Sequence, residues 1–172
     1  MGITRPESDE YAPYYATYID QVVGDCALTA LEQQRDSTSS FLASLPESRA
    51  GYRYAPGKWS LREVIGHLSD AERIFSHRLL RFARNDQTAL PGFDENAYVP
   101  EGRFEQRTLA DVAREFTAVR ESSLALVQNL DAETMLRRGT ANGKVMSVRA
   151  LAWVMAGHEL HHLGVVRERY LK

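Results

Sequence analysis

The chain has 172 residues, enough for one ordinary domain with a continuous core and short for two. Its 21 Lys+Arg against 23 Asp+Glu give a net charge of -2 with the signs interspersed, so no basic patch argues for nucleic acid or for an anionic membrane as a partner. A single cysteine, Cys26, excludes an intrachain disulfide and a cysteine-pair zinc site; no apolar core of a secretory leader stands in MGITRPESDEYAPYY, and no run approaches the roughly 18 apolar residues that span a bilayer, so the cytoplasm is the expected setting.

Residues 1–24 carry Tyr11, Tyr14, Tyr15 and Tyr18 with Pro6 and Pro13, a composition that predicts an extended arm laying aromatic rings on the body. From Asp25, which is placed to cap it, a first helix is predicted by Leu28, Leu31, Phe41, Leu42 and Leu45, ending before Pro46. The second helix starts at Ser60, where Ser60 and Glu63 form a capping box, and its apolar stripe is Val64, Ile65, His67, Leu68, Ala71, Ile74, Phe75 and Leu79. Asn85 to Arg107, with Pro91, Gly92 and Pro100, reads as a long loop between the second and third helices, of the kind that serves as a lid or a crossover. Thr108 and Asp111 open a third helix with Val112, Phe116, Val119, Leu124, Val127 and Leu130 on one face, and Asp131 ends or restarts it. After a turn at TANGK, Ser147 caps a fourth helix running towards Tyr170, the most apolar of the set. Four helices with no strong strand predict an all-α four-helix bundle, residues 1–172 forming a single domain.

Three of the five histidines fall within residues 158 to 162, inside an otherwise apolar helix. Residues four apart on a helix stand one above the other, so His158 and His162 aim at one point, on a seam with Leu151, Met155 and Val165. His161 is turned about 100° away, towards Glu168. His67, with Val64, Ala71 and Ile74 on its face, is the other inward histidine, whereas His77 shares a face with Arg73, Arg81 and Arg84 and is solvated. Each could be a core histidine hydrogen-bonded to a neighbour, but one divalent cation would use three buried imidazole lone pairs at once. His158, Glu159 and His162 also satisfy H-E-x-x-H, which would make Glu159 a general base; that reading needs a third ligand downstream, where only ten residues and no histidine remain, so His67 is the better supply. Cys26 reads as packing and Trp59 as core.

The stretches WSLREVIGHLSDAER from Trp59, GFDENAY, and GHELHHLG from Gly157 resemble the DinB/YfiT-like superfamily of bacterial four-helix proteins, over nearly the whole chain from the tyrosine-rich arm to Tyr170. The resemblance implies an up-down-down-up bundle, a homodimer, and a divalent metal ion, commonly nickel or zinc, held by three histidines, here His67, His158 and His162. It implies a small-molecule substrate and two activities: transfer of a low-molecular-weight thiol such as bacillithiol or mycothiol, or its use in isomerisation, and metal-dependent hydrolysis. Three neutral nitrogen ligands leave positions open, as catalytic sites do, and an ion there would activate a thiol or a water; a metal-binding or stress-response protein without turnover is the alternative from another class. Glu159 and Asp70 are candidates to fix an imidazole tautomer, against the alternative of solvated charges, and Asp94 and Tyr98 to line the pocket, against loop capping and packing.

Overall fold

The computed structural model describes residues 2–172. Before the first long helix come 3-10 turns at Ser8–Glu10 and Pro13–Tyr15 and a short helix α1, Ala16–Ile19, so the arm is not extended as its composition suggested. Pro13 sets the backbone at the start of its turn, and buried Ile19 and Val22 anchor the stretch between that turn and the first long helix. The long helices are α2 (Ala27–Ala43), α3 (Leu61–Ala83), α5 (Leu109–Val127) and α7 (Val148–Val165), the last continuing into a π-helical turn Val166–Tyr170. Three start where the sequence places a cap. Ser60 Oγ accepts from the Glu63 amide at 3.3 Å and Ser147 Oγ from the Ala150 amide at 3.0 Å, and Thr108 and Asp111 close the same kind of box. The fourth, α2, has Cys26 rather than Asp25 at its cap position, with Cys26 Sγ accepting from the Ile3 amide at 3.3 Å; Asp25 is exposed.

Cross-helix contacts fix the direction of each rod. Glu72 meets Arg120 and Ser76 meets Ser123, so α3 and α5 are parallel; Gln34 meets Ala156 and Thr38 meets Glu159, so α2 and α7 are parallel. His67 reaches His162 while Phe75 reaches His158, so α3 and α7 are antiparallel; Arg35 meets Glu121 and Ser39 meets Thr117, so α2 and α5 are antiparallel. In chain order the bundle is up, down, down, up.

The predicted loop between α3 and α5 is partly structured. Asp94 accepts from the Asn96 amide at 2.9 Å and caps α4, Glu95–Glu101, and a 3-10 turn at Phe104–Gln106 seats the buried Phe104 ring against Gly66. After Asp131 caps the short α6, Ala132–Met135, the TANGK segment proves to be the tip of an antiparallel hairpin, β1 (Arg138–Ala141) with β2 (Lys144–Ser147), Ala141 opposite Lys144. Asn142 and Gly143 take φ of 51° and 68°, the left-handed pair of a tight hairpin turn. The connection is pinned to it: the Leu90 amide donates to the Thr140 carbonyl at 2.9 Å and the Asn142 amide to the Leu90 carbonyl at 3.0 Å.

The core has two apolar parts, one around Trp153, Leu79 and Phe82, the other around Leu61, Phe104, Phe116 and Tyr170. Between them lies a polar layer to which all four long helices contribute. Arg120, with 0% of its side chain exposed, donates to both Glu72 oxygens at 2.8 Å and to Glu159 at 2.5 Å; Thr38 donates to Glu159, and Gln34 donates to the Ala156 carbonyl at 3.0 Å. Two polar residues of α2, Gln34 and Thr38, thus face inward, where buried polar groups on α7 need partners.

Candidate metal centre

The structure brings His67 of α3 and His158 and His162 of α7 together where the two antiparallel helices cross the polar layer. His158 Nε2 lies 3.3 Å from His67 Nε2 and 3.1 Å from His162 Nε2, and the three ligand atoms all fall within 4.8 Å of one another. Two nitrogens each ~2.05 Å from one ion at a tetrahedral angle would stand ~3.3 Å apart, so both separations from His158 fit a shared cation. No Cys, Asp or Glu joins the cluster among the described residues. His67 and His158 are buried and His162 is half-buried. Burial lowers the His67 pKa to about 4 and that of His162 to about 3, and pushes His158 well below the ordinary histidine range, with neighbouring imidazoles adding to the effect on His158 and His162. At neutral pH all three rings are uncharged, the form that has a lone pair to give.

Aromatic side chains hold the rings. Trp59 packs on His67 with centroids 4.8 Å apart, Phe75 on His158 at 5.4 Å, and Tyr18 edge-on to His158 at 5.3 Å. Tyr18 reaches this position because Gly157 has no side chain: a Cβ there would stand 2.0 Å from the Tyr18 carbonyl oxygen. Its hydroxyl is 2.9 Å from that of Tyr14, and burial together with Tyr14 raises its pKa well above the ordinary phenol value, so it stays protonated.

The cluster forms one wall of a cavity of about 360 Å³, whose other walls include Tyr15, Phe75, Arg78, Phe93, Glu95 and Asn142. A second cavity of about 260 Å³, with Tyr54, Lys58, Asn96 and Tyr170, meets the first at Trp59, His161 and His162. The open side of the cluster therefore faces space on the scale of a small molecule.

Other predicted residues fall elsewhere. His161 is exposed and outside the triad, but its ring, 5.6 Å from Tyr18 and 5.1 Å from His162, lies on the wall of both cavities. His77 is exposed and lines neither. Glu159 is neither solvated nor bonded to an imidazole: it is 1% exposed and engaged by Arg120 and Thr38, which leaves no free carboxylate to act as the base of an H-E-x-x-H site. Asp70 pairs with Arg73 at 3.5 Å, outside both cavities. Asp94 caps α4, and Tyr98, 45% exposed, packs on Phe93; the GFDENAY motif reaches the main cavity through Phe93 and Glu95 instead. Trp59 is half-buried and a cavity wall rather than core, held by the Tyr170 hydroxyl, which donates to its carbonyl at 2.7 Å. Cys26 is far from both cavities and packs beside Gly2.

Comparison with solved structures finds several neighbours, among them the following three. YfiT from Bacillus subtilis, described as "a probable metal-dependent hydrolase with an unusual four-helix bundle topology", is 17% identical with a TM-score of 0.74, over 83% of this chain and 82% of that one. A mycothiol-dependent maleylpyruvate isomerase is 12% identical with a TM-score of 0.65, over 80% of this chain and 58% of that one. YjoA, a DinB-like protein from Bacillus subtilis, is 20% identical with a TM-score of 0.58, over 83% of this chain and 90% of that one. No curated protein matches the sequence. The family model of the DinB superfamily matches residues 30–166, which include all three clustered histidines, the whole of α3, α5 and α7 and most of α2: the chain belongs to the DinB superfamily.

Proposed function

We propose that the protein is a metal-dependent enzyme acting on a small molecule, with His67, His158 and His162 as the ligands of one divalent ion, nickel or zinc. The observation that carries this reading is the convergence of three neutral Nε2 atoms within 4.8 Å on the wall of an open cavity. When bound, such an ion supplies Lewis acidity that lowers the pKa of a water towards ~7, or of a thiol further. The chain's own contribution is to keep the imidazoles uncharged by burial and to fix their planes with Trp59, Phe75 and Tyr18. Transfer of a low-molecular-weight thiol to an electrophile is the favoured chemistry, supported by the structural likeness to an enzyme described as mycothiol-dependent; hydrolysis is supported in the same way by the description of YfiT. A metal site without turnover fits less well, because no fourth Cys, Asp or Glu closes the cluster among the described residues. The resemblance further proposes a homodimer in the cytoplasm, and sedimentation of the metal-loaded protein checks the dimer.

Metal analysis of the purified protein tests the reading. About one equivalent is expected, falling to a small fraction in His67→Ala, His158→Ala and His162→Ala and kept in His77→Ala and His161→Ala. Equal loss across all five variants, or an absence of metal from the native protein, would overturn it. A screen of thiols against electrophiles, with ester and amide substrates in parallel, then separates transferase from hydrolase.

A further inference from the structure

Two arginines are buried among the described residues, and they differ in one respect. Arg120 has two carboxylates, Glu72 and Glu159. Arg78, 4% exposed, has none: its Nη2 donates to the Pro91 carbonyl at 3.1 Å, its guanidinium stands 5.8 Å from the Phe93 ring centroid, and the one ionisable group acting on it is the Tyr15 phenol, itself held neutral by burial. A guanidinium carries five N–H donors, and a buried cation without a counter-charge is costly to keep. Its only other polar neighbour among the described residues is the hydroxyl of the uncharged Tyr15, and the side chain lines the same cavity as the histidine cluster.

We propose that Arg78 is the anion anchor of this cavity and that the small substrate or cosubstrate carries a carboxylate. His67, Ala71, Phe75 and Arg78 succeed one another at spacings of four, four and three along α3, so the cation and the histidine cluster share a helix face. Their Cα atoms are ~16 Å apart along the axis, and the Arg78 side chain leans back towards the helix N-terminus, which puts the carboxylate several bonds from the reacting end of the ligand. One cation with Glu95 on the same wall matches a singly charged carboxylate better than a phosphate dianion, and the planar fork of the guanidinium suits carboxylate geometry. Phe75 and Phe93 supply apolar surface for the carbon chain between the two ends.

The inference rests on the proposed function only in that the cavity is the substrate site, and two probe pairs keep the two readings separable. Calorimetry compares 6-mercaptohexanoate with 6-mercaptohexanol on the zinc-loaded protein, and hexanoate with hexanol on the metal-free protein. In each pair the wild type is expected to bind the acid roughly ten- to a hundred-fold more tightly than the alcohol. Arg78→Met should abolish that preference with its metal content unchanged, and Arg78→Lys should keep part of it. Equal affinity for acid and alcohol in the wild type overturns the proposal, as does a preference that survives in Arg78→Met. Should Arg78→Met fail to fold, the wild-type pairs and Arg78→Lys carry the decision. Loss of thiol binding to the metal with the hexanoate preference intact would sink the proposed chemistry and leave the anchor standing.

Discussion

Arg120 shows how much one buried side chain governs in this bundle. Its guanidinium neutralises Glu72 and Glu159 at once, so Arg120→Met strands two carboxylates in a medium that cannot solvate them and should destabilise the fold by about 3–5 kcal/mol, seen as a lower urea midpoint with an unchanged slope. Glu159→Gln separates two readings of the same residue. Since Glu159 bonds to Thr38 and Arg120 and to no imidazole, the variant should keep its metal while losing stability; loss of metal with stability intact would restore a role for Glu159 at the ion. These charges had a trace in the sequence. Glu72 stands in line with Leu68, Phe75 and Leu79, and Arg120 in line with Phe116, Leu124 and Val127, so each occupies a core-facing position. What spacing does not give is the partner, because an inward charge on one helix identifies its counterpart only after the helices are set side by side. The histidines were easier, since His158 and His162 converge within a single turn of one helix and only His67 had to arrive from elsewhere.

Among the elements, α1 depends most on a single atom's absence. Gly157→Ala would drive a methyl into the Tyr18 backbone, and backbone cannot swing aside as a side chain can, so α1 must lift from α7. The expected result is a loss of about 1–3 kcal/mol, with weaker binding of a cavity ligand and retained metal, checked by thermal unfolding and metal analysis of the same sample. An unaltered melting temperature would mean that α1 does not rest on α7 in solution. Helix starts were legible wherever a side chain does the capping, as at Ser60, Thr108 and Ser147, because that chemistry is local. The start of α2 was misassigned to Asp25 because tertiary contact with Ile3 sets it. The hairpin was missed for a different reason: its strands have four residues each, too few for alternation to register, although Asn142-Gly143 is a strong tight-turn signal. The four-residue α1 is likewise shaped by what it packs on, not by its own periodicity.

For the molecule as a whole, the polar layer divides the apolar core and places ionisable groups where protonation is costly. Between pH 6.5, the ordinary histidine value, and about 4, His67 binds a proton more readily unfolded than folded, and His162 does so down to about 3. Stability of the metal-free protein should therefore be full above pH 6.5 and decline as pH falls through this range. A second decline is expected at lower pH: although burial opposes its ionisation, Glu10 is held by Arg149 with a pKa of about 2 against an ordinary 4.5, a contribution present above 4.5 and lost towards 2. Urea midpoints at about pH 7, 5 and 3 should fall in that order, and a midpoint unchanged between the first two would contradict the burial of the imidazoles. The up-down-down-up order could not be read from helix spacing, which is blind to direction; it came from resemblance, and side-chain pairs across the rods now account for it. No described helix is long and apolar enough to cross a membrane.

The parallel course of α3 and α5 obliges the chain to double back. A rod of 23 residues is ~34 Å long, and residues 84–108 must retrace it before the next can begin. On the way this return leg lays Phe93 and Glu95 over the chamber whose floor the rods provide. Floor and roof are thus tailored independently at the rim: recasting Phe93 and Glu95 would alter which guests are admitted and leave the imidazole trio undisturbed.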